Sequence, residues 1–391
     1  MKIAKIEVLH CDAGWRPWTF IKILTDDGLI GYSECTDSHG SPRGITGVVK
    51  DLESLLIGKD PRPVEKIYWE LYRATRQSPG SIIQKAIGGI ENALWDIKAK
   101  ALNVPVYELF GGPLRERMRV YWSHCGTTRA RAAHLVGVKP LKTLDDVEQL
   151  GSEVVKKGFT ALKTNIVILG ENPSVYMPGF GKGTQNFDLN ADRFIMENLE
   201  SYIGRLRKAV GKNCDICLDL NFNFRTEGFI QIARAMEPFD LFWLELDSYD
   251  PKALKEVKTN TQISICSGEN LYTNRDFRPF FEQYAMDVAS VDIPWNGFLQ
   301  SKRIADLAEL YEMNVAPHNY YSHLATMISA NFCAVIPNFK IMEVDVDDVP
   351  WKDELVTDLP DIREGHLHLS KKIGWGLDLN EKVLAKHPWP K

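Results

Sequence analysis

At 391 residues the chain exceeds one ordinary domain and suits a (β/α) barrel of about 250 residues with a smaller companion. Its 44% apolar and 25% charged residues are those of a globular protein in water, and a net charge of −5 gives no electrostatic footing for nucleic acid or an anionic membrane surface. No stretch of about 18 apolar residues occurs, and the alternating start Met1-Lys-Ile-Ala-Lys-Ile-Glu-Val8 lacks a signal-peptide core, so a cytoplasmic enzyme is expected.

Strand-like stretches at Ile3 to His10, Thr19 to Thr25 and Ile30 to Glu34, with a turn at Asp26-Asp27-Gly28, precede helical patterns at Ile45 to Ile57, Val64 to Arg73 and Ile82 to Leu102. Strands followed by helices predict a separate α+β unit over residues 1–120. From Val120 strands and helices alternate, which predicts a barrel over 121–364. The tail 365–391, with Gly365-His-Leu-His368 and Ile373 to Asn380, is expected to return to the first unit. A long segment rich in Gly, Pro and Asn separates the strand ending at Lys163 from the helix near Phe194, including Gly170, Pro173, Pro178, Gly179, Gly181 and Gly183; a lid or a subunit contact is expected there. The seven cysteines are scattered and odd in number, so no disulfide framework is expected, and the pair Cys214 and Cys217 reads as buried structure.

A ladder of polar residues runs through the barrel region. Asp219, Glu245, Glu269, Asp292, His318 and Glu343 follow one another at steps of 26, 24, 23, 26 and 25 residues. One strand, one helix and two short loops take about that length, and the segments before the rungs, such as Ile216-Cys-Leu-Asp219 and Leu241-Phe-Trp-Leu-Glu245, read as buried parallel strands. Each rung then sits at a strand end on the carboxyl-end face, where barrel active sites lie. Singly each acid is accounted for by a surface ion pair; together they predict one shared site.

The segment Ala86-Ile-Gly-Gly-Ile-Glu-Asn-Ala-Leu-Trp-Asp-Ile-Lys-Ala-Lys-Ala-Leu-Asn-Val-Pro-Val-Tyr-Glu-Leu-Phe-Gly-Gly112 is similar to the helix that closes the capping domain of the enolase superfamily, and the ladder resembles its mandelate racemase subgroup in order, type and spacing. The resemblance implies an α/β fold: a modified (β/α)7β or TIM-type barrel under an N-terminal α+β capping domain. It also implies Mg²⁺ held by Asp219, Glu245 and Glu269, a dyad of Asp292 and His318, and Glu343 at the substrate carboxylate. In Lys163-Thr-Asn165 the first residue matches the subgroup's Lys-x-Lys motif and the last does not.

The implied chemistry is abstraction of the proton α to a carboxylate, giving a metal-stabilised enediolate. Oxygen donors suit a hard cation that absorbs the second negative charge. His318 is the candidate base, with Asp292 fixing its tautomer; Lys163 could offset charge or act as a second base, and Asn165 can only hydrogen-bond. Racemisation needs an acid or base on each face, dehydration does not, so the first reading is a Mg²⁺-dependent dehydratase of a sugar acid, aldonate or aldarate, forming a 2-keto-3-deoxy acid. The alternatives are a racemase, epimerase or cycloisomerase acting on a related carboxylate, and a non-catalytic sugar-acid-binding protein. Asn221 is a substrate candidate or a turn residue. Trp15, Arg16, Trp18, His39 and Arg43 are candidate walls and anion anchors from the capping loops, while His366 and His368 are set aside as non-catalytic. The expected partner is a small-molecule carboxylate, in a homo-oligomer.

Overall fold

The computed structural model describes residues 1–180 and 187–389. The first unit opens with an antiparallel sheet of three strands, Ile3–Asp12, Pro17–Thr25 and Ile30–Glu34, hydrogen-bonded in sequence order. Helices Pro42–Glu53 and Val64–Ala74 follow, each burying a stripe at helical spacing: Ile45, Val49 and Leu52 on one, Val64, Ile67, Tyr68 and Leu71 on the other.

Helix Ser81–Leu102 is different, because every residue from Gln84 to Ile97 is buried. That stretch runs between the capping sheet and the barrel, so it has no solvent face. Its two adjacent glycines explain how both neighbours come so close: a Cβ on Gly88 would lie 2.4 Å from the Trp295 carbonyl oxygen, and one on Gly89 would lie 2.7 Å from Ile21 Cδ1. Polar side chains pin the junction. Asn92 donates to the Ile293 carbonyl and accepts from the Phe298 amide, and Gln84 donates to the Asn296 carbonyl. All three contacts fall on the segment just after Asp292, so the cap helix positions one rung of the ladder.

The barrel is a ring of parallel strands with hydrogen-bonded neighbours in chain order: Arg117–Ser123, Ala161–Thr164, Asp215–Asp219, Trp243–Glu245, Ile265–Ser267, Val288–Val291 and Asn314–Pro317. Strand Met342–Asp345 pairs with Arg117–Ser123, and a bridge between Val315 and Phe339 completes the ring. Helices Leu144–Lys156, Arg193–Val210, Thr226–Met236, Pro251–Thr259, Thr273–Glu282, Phe298–Leu310 and His323–Val335 lie between the strands. The chain therefore has an N-terminal capping unit and a C-terminal TIM-type barrel. All seven cysteines are free and buried. Among the described residues no helix is long and apolar enough to cross a membrane.

Two boundaries differ from the sequence expectation. Strand Arg117–Ser123 straddles residue 120, since a parallel strand must be continuous to pair on both sides. Strand His366–His368 does not return to the cap; it pairs antiparallel with the start of that strand, Leu367 opposite Met118. The tail beyond it does reach the cap, where Trp375 Nε1 donates to the Tyr32 carbonyl at 2.9 Å, Lys22 meets Glu381 at 2.7 Å and Pro388 bridges to Cys11.

Candidate active site

Five of the six ladder residues stand at strand ends on one face. Asp219 and Glu245 close their strands and face each other in register, and Glu269, Asp292 and His318 lie one or two residues beyond theirs. Glu343 is the exception: it lies inside Met342–Asp345, opposite Tyr121. Above this face opens a cavity of about 910 Å³, lined by Asp219, Glu269, His318, Lys163 and Glu343 below and by Trp15, His39 and Lys85 of the cap above. Glu245 and Asp292 stand one layer behind its wall.

Lys163 Nζ is the electrostatic hub. It lies 2.9 Å from Glu343, 3.2 Å from Glu245 and 3.9 Å from Asp219, all buried. Burial alone would lower the ammonium's pKa, but Glu245 and Glu343 raise it well above its usual value. Glu343 responds in kind. Its burial would raise it, yet Lys163 holds it down at about 2, and its oxygens also accept from Ser123 Oγ and, at 2.7 Å, from the Asn319 amide. Glu343 thus arrives ionised with both oxygens engaged, which suits fixing Lys163 better than approaching a substrate carboxylate.

The acids opposite are less well compensated. Burial lifts Asp219 to about 6 even against Lys163, with repulsion from Glu269 added, and burial likewise raises Glu245 and Glu269. Asp247, two residues past Glu245, joins them; burial and then Glu269 and Asp219 push it well above the carboxylate range. Among the described residues no three Asp, Glu, His or Cys side chains form a ready-made metal cage.

His318 flanks the other side. Its Nδ1 meets Asp292 Oδ2 at 2.7 Å and its Nε2 lies 3.4 Å from Glu269. Burial would lower the imidazole, but Glu269 in front and the bond to Asp292 behind push it up to about 10. Asp292 is itself held rigidly: Oδ1 caps the short helix Ile293–Asn296 through the Trp295 amide at 2.7 Å, and Oδ2 also accepts from the Tyr321 hydroxyl.

The structure sorts the remaining candidates. Asn165 lines the cavity, but its amide is spent on Thr127 Oγ1, the Asp219 carbonyl and Asn221 Oδ1, so it braces strand ends. Asn221 lies beside it with φ +47, its amide donating to Asp219 Oδ1 at 2.9 Å, a turn role combined with a place on the cavity wall. Trp15 and His39 line the cavity. Trp18 does not: it is fully buried beside Trp351, in a stretch of the second cap strand where Trp18 to Ile21 are all buried. Arg16 is buried too, its guanidinium taken by Asp348 at 2.9 Å, Asp345 at 3.4 Å and the Tyr320 carbonyl. Arg43 is exposed beside Trp389 and away from the cavity lining.

Sequence reasoning missed Lys85, His124, Arg131, Asp247, Tyr320 and Tyr321. Asp247 and the Tyr320-Tyr321 pair carried a signal, two or three residues beyond a rung; the others carried none. Of the Gly-rich segment, Met177, Gly179 and Phe180 line the cavity, Phe180 packing 4.7 Å from His39, while Gly181 and Gly183 lie outside the described residues.

Residues 145–383 match the enolase C-terminal domain-like family and residues 12–111 the mandelate racemase / muconate lactonizing enzyme N-terminal domain. The chain is 28% identical to a D-xylonate dehydratase of Haloferax volcanii over 99% of this chain and 89% of that protein. It is 25% identical to a D-galactonate dehydratase of Pectobacterium atrosepticum over 99% and 94%. A solved structure from Burkholderia xenovorans strain LB400, provisionally named an L-alanine-DL-glutamate epimerase and bound to magnesium and fumarate, is 44% identical and superposes with a TM-score of 0.96 over 99% of this chain and 96% of that one. With both domain models matched in order beneath a shared carboxyl-end site, the chain belongs to the enolase superfamily, in its mandelate racemase/muconate lactonizing enzyme subgroup, with acid-sugar dehydratases among its relatives.

Proposed function

We propose that the protein is a sugar-acid dehydratase that removes the proton α to the carboxylate of an aldonate or aldarate, expels the β-hydroxyl and releases a 2-keto-3-deoxy acid. The observation that carries this reading is the asymmetry across the acid cluster. On one side stands the oriented pair of His318 and Asp292; on the other, Lys163 is clamped as an ammonium and Asn165 cannot take a proton. That inventory suits a reaction served by one acid–base group. The H. volcanii and P. atrosepticum relatives, both named as dehydratases, support it.

The donors fit a hard divalent cation: Asp219, Glu245 and Glu269 are all oxygen ligands, and their mutual repulsion marks a site short of positive charge. Lys163 and His318 now supply part of that charge, and Mg²⁺ would share the task. When bound, such an ion supplies Lewis-acid stabilisation of the enediolate, worth several kcal/mol. The magnesium held by the B. xenovorans protein supports this choice.

The chain's own residues account for the proton inventory. His318 takes the C2 proton through Nε2 while Asp292 holds Nδ1 and stabilises the imidazolium that forms. The same imidazolium returns that proton to the departing β-hydroxyl, so the net change is loss of water, and the enol product tautomerises to the 2-keto acid. Lys163 places a fixed positive charge beside the developing anion. Glu269 accounts for the high pKa of His318; once its charge is spent on a cation, the imidazole is neutral nearer to working pH.

The test is a screen of mono- and diacid sugars with Mg²⁺, detecting 2-keto-3-deoxy products with semicarbazide, repeated on His318→Asn and after EDTA. Product lost in both controls supports the reading; absence of product from every acid sugar refutes it. The epimerase reading draws on Lys163 facing His318 across the acids and on the name of the B. xenovorans protein. Deuterium entering unchanged substrate at C2 in D₂O, without keto product, would establish it.

A further inference from the structure

Arg131 ends the helix Thr127–Arg131, just past the first barrel strand, and its side chain forms part of the cavity wall. Its guanidinium stacks 4.0 Å from the Trp15 ring centroid. Nε and Nη2, the edge of the fork that grips a carboxylate with two parallel bonds, are buried and have no hydrogen-bond partner; Nη1 meets only the weak acceptor Met177 Sδ, at 4.0 Å. Burial and the neighbouring Arg16 push Arg131 down to about 10, the direction expected of a cation without its anion.

The surrounding charges leave room for one more anion. Arg16 meets both Asp345 and Asp348, Lys352 meets Asp348 at 3.1 Å, and His124 Nδ1 meets Asp345 at 2.8 Å. Arg129 has its own partners in Asp347 and Glu153. Arg16, Lys352 and Arg131 thus face two carboxylates, and Arg131 is the cation left over. Leaving a buried cation unpaired is costly, so a fold that keeps one on a ligand cavity points to a ligand that completes the pair.

We infer that Arg131 binds a second carboxylate at the far end of the substrate, so that the preferred substrate is a diacid sugar rather than a monoacid. The inference rests on the dehydratase reading for its substrate class. Trp15 and Tyr320, stacked 5.9 Å apart, bridge from Arg131 to His318, which lies 4.9 Å from Tyr320; the substrate chain would run along this aromatic strip, one carboxylate at the acid cluster and the other displacing Met177 from the guanidinium. A fork that makes two charge-assisted bonds discriminates strongly against a neutral terminus.

The experiment pairs Arg131→Met and Arg131→Lys with matched six-carbon diacid and monoacid sugars, and separately follows tryptophan fluorescence during titration with the unreactive pair adipate and hexanoate. Wild type is expected to prefer the diacid at least tenfold in kcat/KM. Arg131→Met should lose about 100-fold on the diacid, mainly in KM, with less than a threefold change on the monoacid. Arg131→Lys, which keeps the charge but not the fork, should fall between. Because no partner is stranded, Arg131→Met should unfold no more easily than wild type, whereas a structural role predicts a loss of stability. Equal losses on both sugars, or a wild type indifferent between them, would overturn the inference while leaving dehydration intact. An adipate preference that disappears in Arg131→Met without turnover of any sugar acid would uphold the subsite and remove the dehydratase reading.

Discussion

Replacing Lys163 by methionine keeps an unbranched side chain, one heavy atom shorter, and removes the charge that three buried carboxylates share. Glu343 shows the coupling: burial would raise its carboxyl, yet Lys163 foremost, with His318, His124 and the bond from Ser123, holds it at about 2 against a usual 4.5. Stranding the buried partners of a broken ion pair costs about 3–5 kcal/mol. In EDTA the variant should therefore unfold about 3–5 kcal/mol more easily than wild type, read by urea titration at pH 7. Mg²⁺ at a hundred times its Kd stabilises a protein by about 2.7 kcal/mol through mass action. The variant should gain more than wild type does, because a cation held by Asp219, Glu245 and Glu269 would offset the charge that the missing ammonium leaves on Asp219 and Glu245. Equal stability of the two proteins in EDTA, or an identical Mg²⁺ increment, would refute the account of Lys163 as the counter-charge of an incomplete cation site.

Tyr321→Phe removes one of the donors to Asp292 and leaves His318 paired with a more basic carboxylate. The expected result is a kcat about tenfold lower, with the acid limb of the kcat/KM profile moved to higher pH; an unchanged profile would show that the hydroxyl is only packing. Glu91 is buried in the cap helix with Oε2 unpaired, and burial raises it to about 7 from 4.5. A raised folded pKa means its contribution is full below 4.5 and lost as pH rises through 7, so Glu91→Gln should gain on the order of 3 kcal/mol relative to wild type between pH 4.5 and 8 in urea melts; a pH-independent difference would contradict this. Gly88→Ala drives a methyl to within 2.4 Å of the Trp295 carbonyl and 2.8 Å of the Gly297 amide nitrogen. It should cost about 1–3 kcal/mol and lower activity through displacement of Asp292, while Ala at the open position Gly47 should change neither.

The ladder was legible because its information is local. A buried parallel strand writes itself as a short apolar run, the polar residue that ends it marks the carboxyl-end face, and one strand–helix unit has a nearly fixed length. Asp219, Glu245, Glu269, Asp292 and His318 therefore announced a common site before any packing was known, and the cap strands and helices fell close to their predicted spans. The Gly88–Gly89 pair was part of a recognisable motif, but its reason, contact with a backbone carbonyl on one side and the cap sheet on the other, lay in the packing.

Charge balance was not legible. Four arginines and lysines near the cavity look alike in sequence, and the tertiary structure gave each a different fate: Lys163 bound among acids, Lys85 on Asp37 at 3.2 Å, Arg16 buried on Asp345 and Asp348, and Arg131 left with its fork empty. Trp18 and Trp15 lie three residues apart, yet one is cap core and the other cavity wall. Periodicity determined the barrel and the order of its site residues, since it depends only on neighbours along the chain. Which cations are paired, and so where a substrate's charge can go, was decided by long-range contacts such as Arg16 with Asp348, set only when the cap closes on the barrel.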